Sequence, residues 1–293
     1  MAILIGFATI VGILLGLLGG GGSILTVPVL VYFAGLTTKS AIITSLIVVG
    51  ITSSIAVINY ARLGKVCWKT GVTFGAAGML GAFIGGRLTA YLSDTILLVL
   101  FALVMLLTSL AMLKTKQTPP SAYQGTLKNF CPINLPVSAV LFDGLLVGLV
   151  TGLVGVGGGF LLVPALTILA GLPIQAAIGT SLFIIIFQSA AALAGHANHM
   201  AINIELTTIF TCFAILGSLI GSKLSEKIST VYLKNSFAIF VFLLASFLLY
   251  NELTPQLLIQ IKQLITIHQD FLKGALSMFF VLMLYRVWSW LHY

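Results

Sequence analysis

Charged side chains are scarce in this sequence. Asp, Glu, Lys and Arg together make up 7% of the 293 residues, against 59% hydrophobic residues. An ordinary soluble domain has about 25% charged residues, so this chain cannot cover a water-facing surface of normal size. Apolar segments of about 20 residues, long enough to cross a bilayer, fill almost the whole sequence. The composition predicts an all-α polytopic membrane protein with no room for a soluble catalytic or regulatory domain.

Acidic residues are rarer than basic ones. There are 6 Asp and Glu residues against 14 Lys and Arg residues, which gives a net charge of +8 and a pI of about 9.5. In a soluble protein this balance would suggest a nucleic-acid partner. In a membrane protein it is typical of basic loops retained on the cytoplasmic side. We therefore expect a lipid bilayer and a small solute as partners, and no nucleic acid.

Cysteine and catalytic motifs are also sparse. Cys67, Cys131 and Cys212 are few, odd in number and without CxxC spacing, so the pattern predicts neither a disulfide nor a metal site, and all three are interpreted as small apolar fillers. The sequence contains no GxSxG or HExxH motif and no second intramembrane acid to pair with Asp143. We therefore expect no enzymatic activity, no cofactor and no metal.

A glycine-rich stretch occurs twice. Residues 16–23 read GLLGGGGS and continue to Pro28, while residues 152–159 read GLVGVGGG and continue to Pro164, 136 positions later. The same offset relates further pairs downstream: Thr44-Ser45 with Thr180-Ser181, Ser53 with Ser189, Gly81 with Gly217 and Gly85 with Gly221. Such a register indicates an internal duplication. The predicted organisation is a first transmembrane repeat at 1–113, a linker at 114–136, a second repeat at 137–250, and at 251–293 an interfacial segment (255–269) and a last span (272–291).

Each glycine run interrupts an apolar segment. The first run ends the helix of residues 2–18, and Ser23 is then suited to be the N-cap of a segment reaching about Gly35, with Pro28 one turn inside it as a structural residue. Pro164 has the same place in the second repeat. At about 1.5 Å per residue such a segment is too short to cross the bilayer. We therefore predict a re-entrant or discontinuous half-helix in each repeat.

The loop charges predict the orientation of the halves. The loop at 62–69 has three basic residues and its repeat equivalent at 198–205 has none, whereas the loop at 223–234 has three lysines and its equivalent at 87–98 has one arginine. Positive charge therefore moves to the other set of loops in the second half. The positive-inside rule then favours an inverted repeat. A parallel repeat of four spans in each half is the alternative.

The glycine breaks are the candidate binding site. Irregular backbone survives in hydrocarbon only where it is buried or lines a polar cavity. The free N–H groups at the start of a following half-helix favour an anion, and paired Gly/Pro-interrupted segments point to a transporter's binding site. The alternative is that the glycines only allow close helix crossing. The predicted binding residues of the breaks are Gly19, Gly20, Gly21, Gly22, Ser23, Gly155, Gly157, Gly158 and Gly159.

A stripe of polar side chains on the spans that follow adds further candidates. Hydroxyls could donate to an oxyanion, although Ser and Thr also bond helix backbone or neighbouring helices. The predicted binding residues here are Thr44, Ser45, Ser53, Thr180, Ser181, Gln188 and Ser189. Asp143, an acid inside a span, is the candidate for carrying a coupling proton. Arg87 and Lys223 lie near helix ends, where snorkelling is the first interpretation and anion attraction the second.

These motifs resemble one family. Both copies follow Gly-Leu-x-Gly-x-Gly-Gly-(Gly/Ser)-x-Leu-x-Val-Pro, and each precedes Ala-x-x-Thr-Ser-Leu at 41–46 and 177–182. Together with GAFIGGRL at 81–88 and GSLIGSKL at 217–224, this pattern resembles the TauE/SafE sulfite exporter family. The first copy has Gly20 and Ser23 where the second has Val156 and Gly159.

The resemblance implies a bacterial inner-membrane permease for sulfite, a related sulfur oxyanion or an organosulfonate. We expect an exporter that binds its substrate between the two glycine breaks and works by alternating access of the two halves. The alternatives are a passive anion channel and a transporter of small organic carboxylates. The exact substrate, the coupling ion and the oligomeric state stay open at this point.

Overall fold

The computed structural model describes residues 2–20, 22–114, 131, 137–154, 159–168, 171–196, 203–225 and 230–252. Within these ranges the chain forms α-helices and one short 3-10 turn, with no strand. The helices are α1 Ala2–Leu18, α2 Ser23–Tyr32, α3 Thr38–Arg62, α4 Trp68–Leu88, α5 Asp94–Lys114, α6 Val137–Val154, α7 Gly159–Ile168, α8 Ile174–Gly195, α9 Ile204–Leu224 and α10 Thr230–Glu252. The predicted interfacial segment and last span lie outside the described residues.

Four of the described helices, α3, α4, α8 and α9, are long and apolar enough to cross a membrane. Helices α2 and α7 have 10 residues each, and at about 1.5 Å per residue neither can span the hydrocarbon. The all-helical polytopic fold class predicted from the composition is confirmed. The half-helix after each glycine run has the expected short length.

Helix α2 folds back along α1. A Cβ built on Gly22, at the start of α2, would overlap the carbonyl oxygen of Val11 and lie 2.5 Å from the Leu15 nitrogen. At the far end of α2, the Phe33 ring lies 4.6 Å from the ring of Phe7, near the start of α1. A continuous helix would separate these residues by many turns. The first glycine run therefore reverses the chain, so that α1 and α2 form a re-entrant hairpin.

Helices α3 and α8, which occupy equivalent places in the two repeats, cross each other antiparallel. A Cβ on Gly50 would lie 3.3 Å from the Cβ of Ser189. Ten residues later on α3, the Cβ of Tyr60 would lie 3.1 Å from a Cβ on Gly179, ten residues earlier on α8. Two equivalent membrane helices that run in opposite directions are the mark of an inverted repeat, so this contact supports the inverted repeat over the parallel one.

The repeats also exchange helices along two glycine-lined seams. Gly12 and Gly16 of α1 lie directly against the α9 backbone at Ala214 and Ser218. In the same order, Gly148 and Gly152 of α6 lie against the α4 backbone at Gly78 and Ala82. Each contact of the second set is formed by the two repeat equivalents of a contact in the first set, 136 positions away along the chain. Each repeat thus contributes its first helix to the other, which interlocks the two halves.

The glycines of α4 and α9 complete the seams. Gly81 and Gly85 approach the α6 backbone at Leu145 and Leu149, and their equivalents Gly217 and Gly221 approach α1 in the same way. Without side chains between them, the helix backbones pack more closely than larger residues would allow, which favours association in lipid. The glycines of α4 and α9 therefore allow these helices to pack backbone against backbone.

The helix ends separate the charges. Asn59 and Tyr60, at the end of α3, donate to the hydroxyls of Ser222 and Ser225, at the end of α9, at 2.8 and 2.9 Å. We call this side, where α3 and α9 end and α4 and α8 begin, the basic end. Its described loops and helix ends include Arg62, Lys65, Lys69 and Lys223. The opposite end includes both signs: Lys39, Arg87, Asp94 and Glu205.

The cysteine prediction was wrong for two of the three residues. Cys67 and Cys131 form a disulfide with 5.7 Å between their Cα atoms, and they are 64 positions apart in sequence. Cys67 is the N-cap of α4 and is buried, while Cys131 precedes α6 by six residues. Cys212 is free and exposed on α9. The pairing depends on the close approach of the first turns of α4 and α6, which no spacing in the sequence reports.

Candidate functional site at the meeting of the helix breaks

The first break depends on glycine geometry at two successive residues. Gly19 has φ +64° and Gly20 has φ +109°, backbone conformations that cost an L-residue with a side chain about 1–2 kcal/mol. The N–H groups of both residues bond to the Leu15 carbonyl, at 3.0 and 3.3 Å. This closes α1 and turns the chain toward α2. The glycines are therefore needed for the reversal itself, apart from any role in binding.

Ser23 does not cap α2 as predicted. The N-cap is Gly22, and Ser23 is the first helical residue. The Ser23 hydroxyl donates to the Gly20 carbonyl at 2.5 Å instead of accepting a backbone N–H. Ser23 is buried, and its N–H also donates to the Gly20 carbonyl at 3.0 Å, so both groups of Ser23 stabilise the turn.

The two breaks touch. A Cβ placed on Gly20 would overlap the Cα of Gly159, the first residue of α7, and a Cβ on Gly159 would overlap the Cα of Gly20. The same Cβ on Gly20 would lie 2.7 Å from the Ile185 side chain of α8. The starts of α2 and α7, one from each repeat, are thus brought together against α8. Gly21, Gly155, Gly157 and Gly158 lie outside the described residues, so their predicted binding roles stay predictions.

Two of the predicted hydroxyls have structural partners. Ser181 donates to the carbonyls of Gly19 and Ile178, at 2.6 and 2.8 Å, so a side chain of the second repeat holds the break of the first. Thr180 accepts the Cys67 N–H at 2.9 Å and thereby anchors the start of α4 to α8. Both residues are fully buried.

The repeat equivalents of these two residues, Thr44 and Ser45, have hydroxyls without a hydrogen-bond partner. Among the described residues, five buried side chains on α3 and α8 have a polar atom without a hydrogen-bond partner: Thr44, Ser45, Ser53, Ser189 and the amide nitrogen of Gln188. Each is at most 2% exposed. Leaving such an atom unpaired costs about 1–3 kcal/mol, and buried polar atoms of this kind are few in native proteins. These five side chains on two equivalent helices therefore stay candidates for binding a ligand.

Gln188 makes the polar groups of α8 different from those of α3. Its carbonyl oxygen accepts from Thr151 of α6 at 3.4 Å, while its amide nitrogen faces α4 so closely that a Cβ on Gly78 would overlap it. Its repeat equivalent, Thr52, bonds only to the carbonyl of Val48 in its own helix, at 2.6 Å. A free amide donor is therefore present in one half and absent from the other.

The remaining candidates lie away from the breaks. Asp143 is buried in α6, eleven residues before the helix ends at Val154, or about 16 Å along the axis. Arg87 and Lys223 are exposed, and the Arg87 guanidinium lies 5.3 Å from the centre of the Phe83 ring. No Lys or Arg side chain is buried in the described part of the chain. Pro28 and Pro164 lie inside α2 and α7.

A pair of equivalent serines separates structural hydroxyls from binding ones. Ser181→Ala should lower the free energy of unfolding by about 1–3 kcal/mol, because the Gly19 carbonyl loses its buried donor. Ser45→Ala removes a hydroxyl without a protein partner, so substrate-free stability should be unchanged or slightly higher while the affinity for substrate falls. Thermal unfolding of both variants with and without substrate measures the two effects. Equal losses of substrate-free stability would mean that Ser45 has a structural partner.

The geometry by itself is typical of one class of membrane protein. Two interlocked, oppositely directed halves meet at paired helix breaks flanked by buried polar groups, an architecture typical of secondary transporters. The profile of the sulfite exporter TauE/SafE family matches residues 3–248. The chain therefore belongs to the TauE/SafE family, a family of membrane transporters rather than of enzymes.

Curated relatives agree with this assignment. A "probable membrane transporter protein" of Xylella fastidiosa is 36% identical over 231 residues, which cover 78% of this chain and 86% of the relative. The probable membrane transporter protein YunE of Bacillus subtilis is 30% identical over 243 residues, covering 78% and 88%. No solved structure matches the chain at a significant level. The protein is a multi-pass membrane transporter of the bacterial inner membrane, with the bilayer and a small molecule as its partners.

Proposed function

We propose that this transporter exports a small sulfur oxyanion, with sulfite or an organosulfonate as the substrate class. The observation that carries the proposal is the contact of Gly20 and Gly159, because it brings the starts of two half-helices together. N–H groups at helix starts favour anions. The description of the matched family, a sulfite exporter, narrows the anion to sulfur chemistry.

The polar groups around the breaks suit a small oxyanion. The unpartnered hydroxyls of Ser45, Ser53 and Ser189 and the Gln188 amide can all donate hydrogen bonds, and an oxyanion accepts several at once. The site has no buried Lys or Arg side chain among the described residues, so binding rests on neutral donors and helix starts. Such a site releases its ligand more readily than an ion pair would, which suits a transport cycle.

Alternating access explains how the site would open. In the described conformation the five unpartnered groups are inaccessible to solvent, so this state is closed around the breaks. Rocking of one interlocked half against the other would expose the site to each side in turn. Asp143 is the proposed proton carrier, since a buried acid in a transporter helix is a functional candidate by default.

A panel of anions tests the substrate class. The purified protein is heated in sulfite, thiosulfate, sulfate, sulfoacetate, taurine, acetate and chloride, and the unfolding temperature is compared. A ligand at 100 times its Kd should stabilise the protein by about 2.7 kcal/mol. We expect stabilisation by one sulfur oxyanion that Gln188→Leu abolishes. Stabilisation by acetate alone would favour a carboxylate transporter, and sulfite flux in liposomes that never saturates would favour a channel.

A further inference from the structure

The disulfide lies at the end of the molecule where a lasting disulfide is not expected. Cys67 directly follows the loop that contains Lys65, at the basic end, and the described loops and helix ends there include Arg62, Lys69 and Lys223 but no acidic residue. At the opposite end, Lys39 and Arg87 are offset by Asp94 and Glu205. By the positive-inside rule the basic end faces the cytoplasm.

Cytoplasmic thiols are kept reduced. Disulfides that do form there are usually transient, and they act in catalysis or in redox sensing. The other reading, a permanent structural bond, requires the basic end to face the oxidising side of the membrane, against the charge distribution. The position of the pair therefore favours a bond that opens and closes.

The bond also joins the first repeat to the linker that precedes the second. Cys67 is the N-cap of α4, in the first repeat, whereas Cys131 lies six residues before α6 of the second. The Cys67 N–H donates to Thr180 of α8 at 2.9 Å. Just before it, the Lys65 carbonyl packs directly on Gly179. The disulfide therefore ties the linker to the start of α4, which is itself held against α8, and α8 contains the polar groups of the candidate site.

We propose that Cys67 and Cys131 are a reversible redox modification site, reduced in the resting cell, whose oxidation locks the cytoplasmic end of the transporter closed. Alternating access requires the two halves to move against each other at each end in turn. A covalent bond between the start of α4 and the linker just before α6 restrains that movement at one end. The proposal requires only that the protein transports a solute, whichever solute that is.

The chemistry is ordinary thiol–disulfide exchange. Cys131 is partly exposed and Cys67 only 2% exposed, so Cys131 reacts first. Its thiolate attacks a low-molecular-weight disulfide and releases one small thiolate. The Cys67 thiolate then attacks the mixed disulfide at the Cys131 sulfur and releases the second. The protein pair loses two electrons and two protons, which the small disulfide gains as two thiols, and a small dithiol reverses the reaction.

The first experiment measures the oxidation state of Cys67 and Cys131 and does not depend on transport. Intact cells are treated with a permeant maleimide, and the protein is then isolated, reduced and labelled with a second, heavier maleimide. We expect Cys67 and Cys131 to carry the first label in untreated cells, and the second label after brief exposure to the thiol oxidant diamide. A pair that is oxidised in untreated cells and opened by a membrane-impermeant reductant added outside overturns the proposal.

The second experiment measures solute flux in liposomes. Oxidation of the purified protein should lower the flux about tenfold, within the range of ordinary coupling between sites, and dithiothreitol should restore it. Cys131→Ser should keep its full flux under oxidant, whereas Cys212→Ser, the matched control, should respond like the wild type. Equal flux of the oxidised and reduced wild type overturns the locking role, and flux of any solute suffices for this comparison. Failure of the sulfur oxyanion assignment would therefore be recognised separately, in the anion panel.

Discussion

Gly20→Ala is expected to reduce transport by at least about tenfold, the factor that corresponds to 1.4 kcal/mol in an activation free energy. The new Cβ would overlap the Cα of Gly159 and lie 2.7 Å from the Ile185 side chain, at a residue with φ +109°. The backbone strain and the overpacking together cost on the order of 2–5 kcal/mol. The chain can relieve this cost only by moving the breaks apart, which separates the two half-helix starts.

Two further variants isolate the cause. Gly35→Ala is the matched control, because Gly35 has φ +66° but nothing within 4 Å of a built Cβ, so it carries backbone strain without overlap. Gly159→Ala is the converse, because Gly159 is helical and its Cβ would overlap the Gly20 backbone, so it carries overlap without backbone strain. We expect flux in liposomes to fall for Gly20→Ala and Gly159→Ala and to persist for Gly35→Ala. Wild-type flux in both of the first two would remove the break contact from the site.

Gly12→Ala and Gly6→Ala should change stability in opposite directions, although both residues lie in α1. A Cβ on Gly12 would overlap the backbone of Ala214 in α9, whereas a Cβ on Gly6 has nothing within 4 Å. Overpacking a tight contact costs about 1–3 kcal/mol, while replacing an unhindered helical glycine by alanine gains about 0.5–1 kcal/mol. Thermal unfolding in detergent measures the difference between the two variants.

The second seam supplies a replicate of this test. Gly148 of α6 is the repeat equivalent of Gly12, and its Cβ would overlap the backbone of Gly78 in α4. Gly148→Ala should therefore lower stability by a similar amount. An unfolding temperature equal to that of Gly6→Ala would show that the seams are looser than the contacts indicate.

The local sequence pattern predicts where the helices break but not how close the two breaks lie. The runs predict that a helix stops, because glycine weakens helices and permits positive φ, and α1 ends at Leu18 and α2 starts at Ser23. The alternative interpretation, close helix crossing, also describes part of the result, since Gly20 and Gly159 touch backbone to backbone. The repeat symmetry suggests that the breaks belong together but cannot give their distance. That distance depends on how α1 and α6 each pack against the other repeat.

The polar stripe shows where the repeat pattern misleads. Ser45 and Ser181 both lie in a Thr-Ser-Leu triplet, so the repeat motif assigns them the same role. In the fold, Ser181 bonds to Gly19 of the other repeat, while Ser45 has no partner. Tyr60 likewise gains its bonds to Gly16 and Ser225 only by folding, at 2.9 Å each. Hydrogen bonds between distant segments depend on how the helices pack, and this packing differs between the two halves.

Composition and short-range periodicity are properties of the chain alone, and they were enough to predict the membrane location, the helical class, the duplication and the glycine breaks. The loop charges also predicted the opposite directions that α3 and α8 take, since basic loops stay on the cytoplasmic side. The folded chain was needed to show which helices interlock, which hydroxyls have no partner, and that Cys67 meets Cys131. Each of these depends on contacts between residues far apart in sequence, and such contacts exist only once the helices have packed.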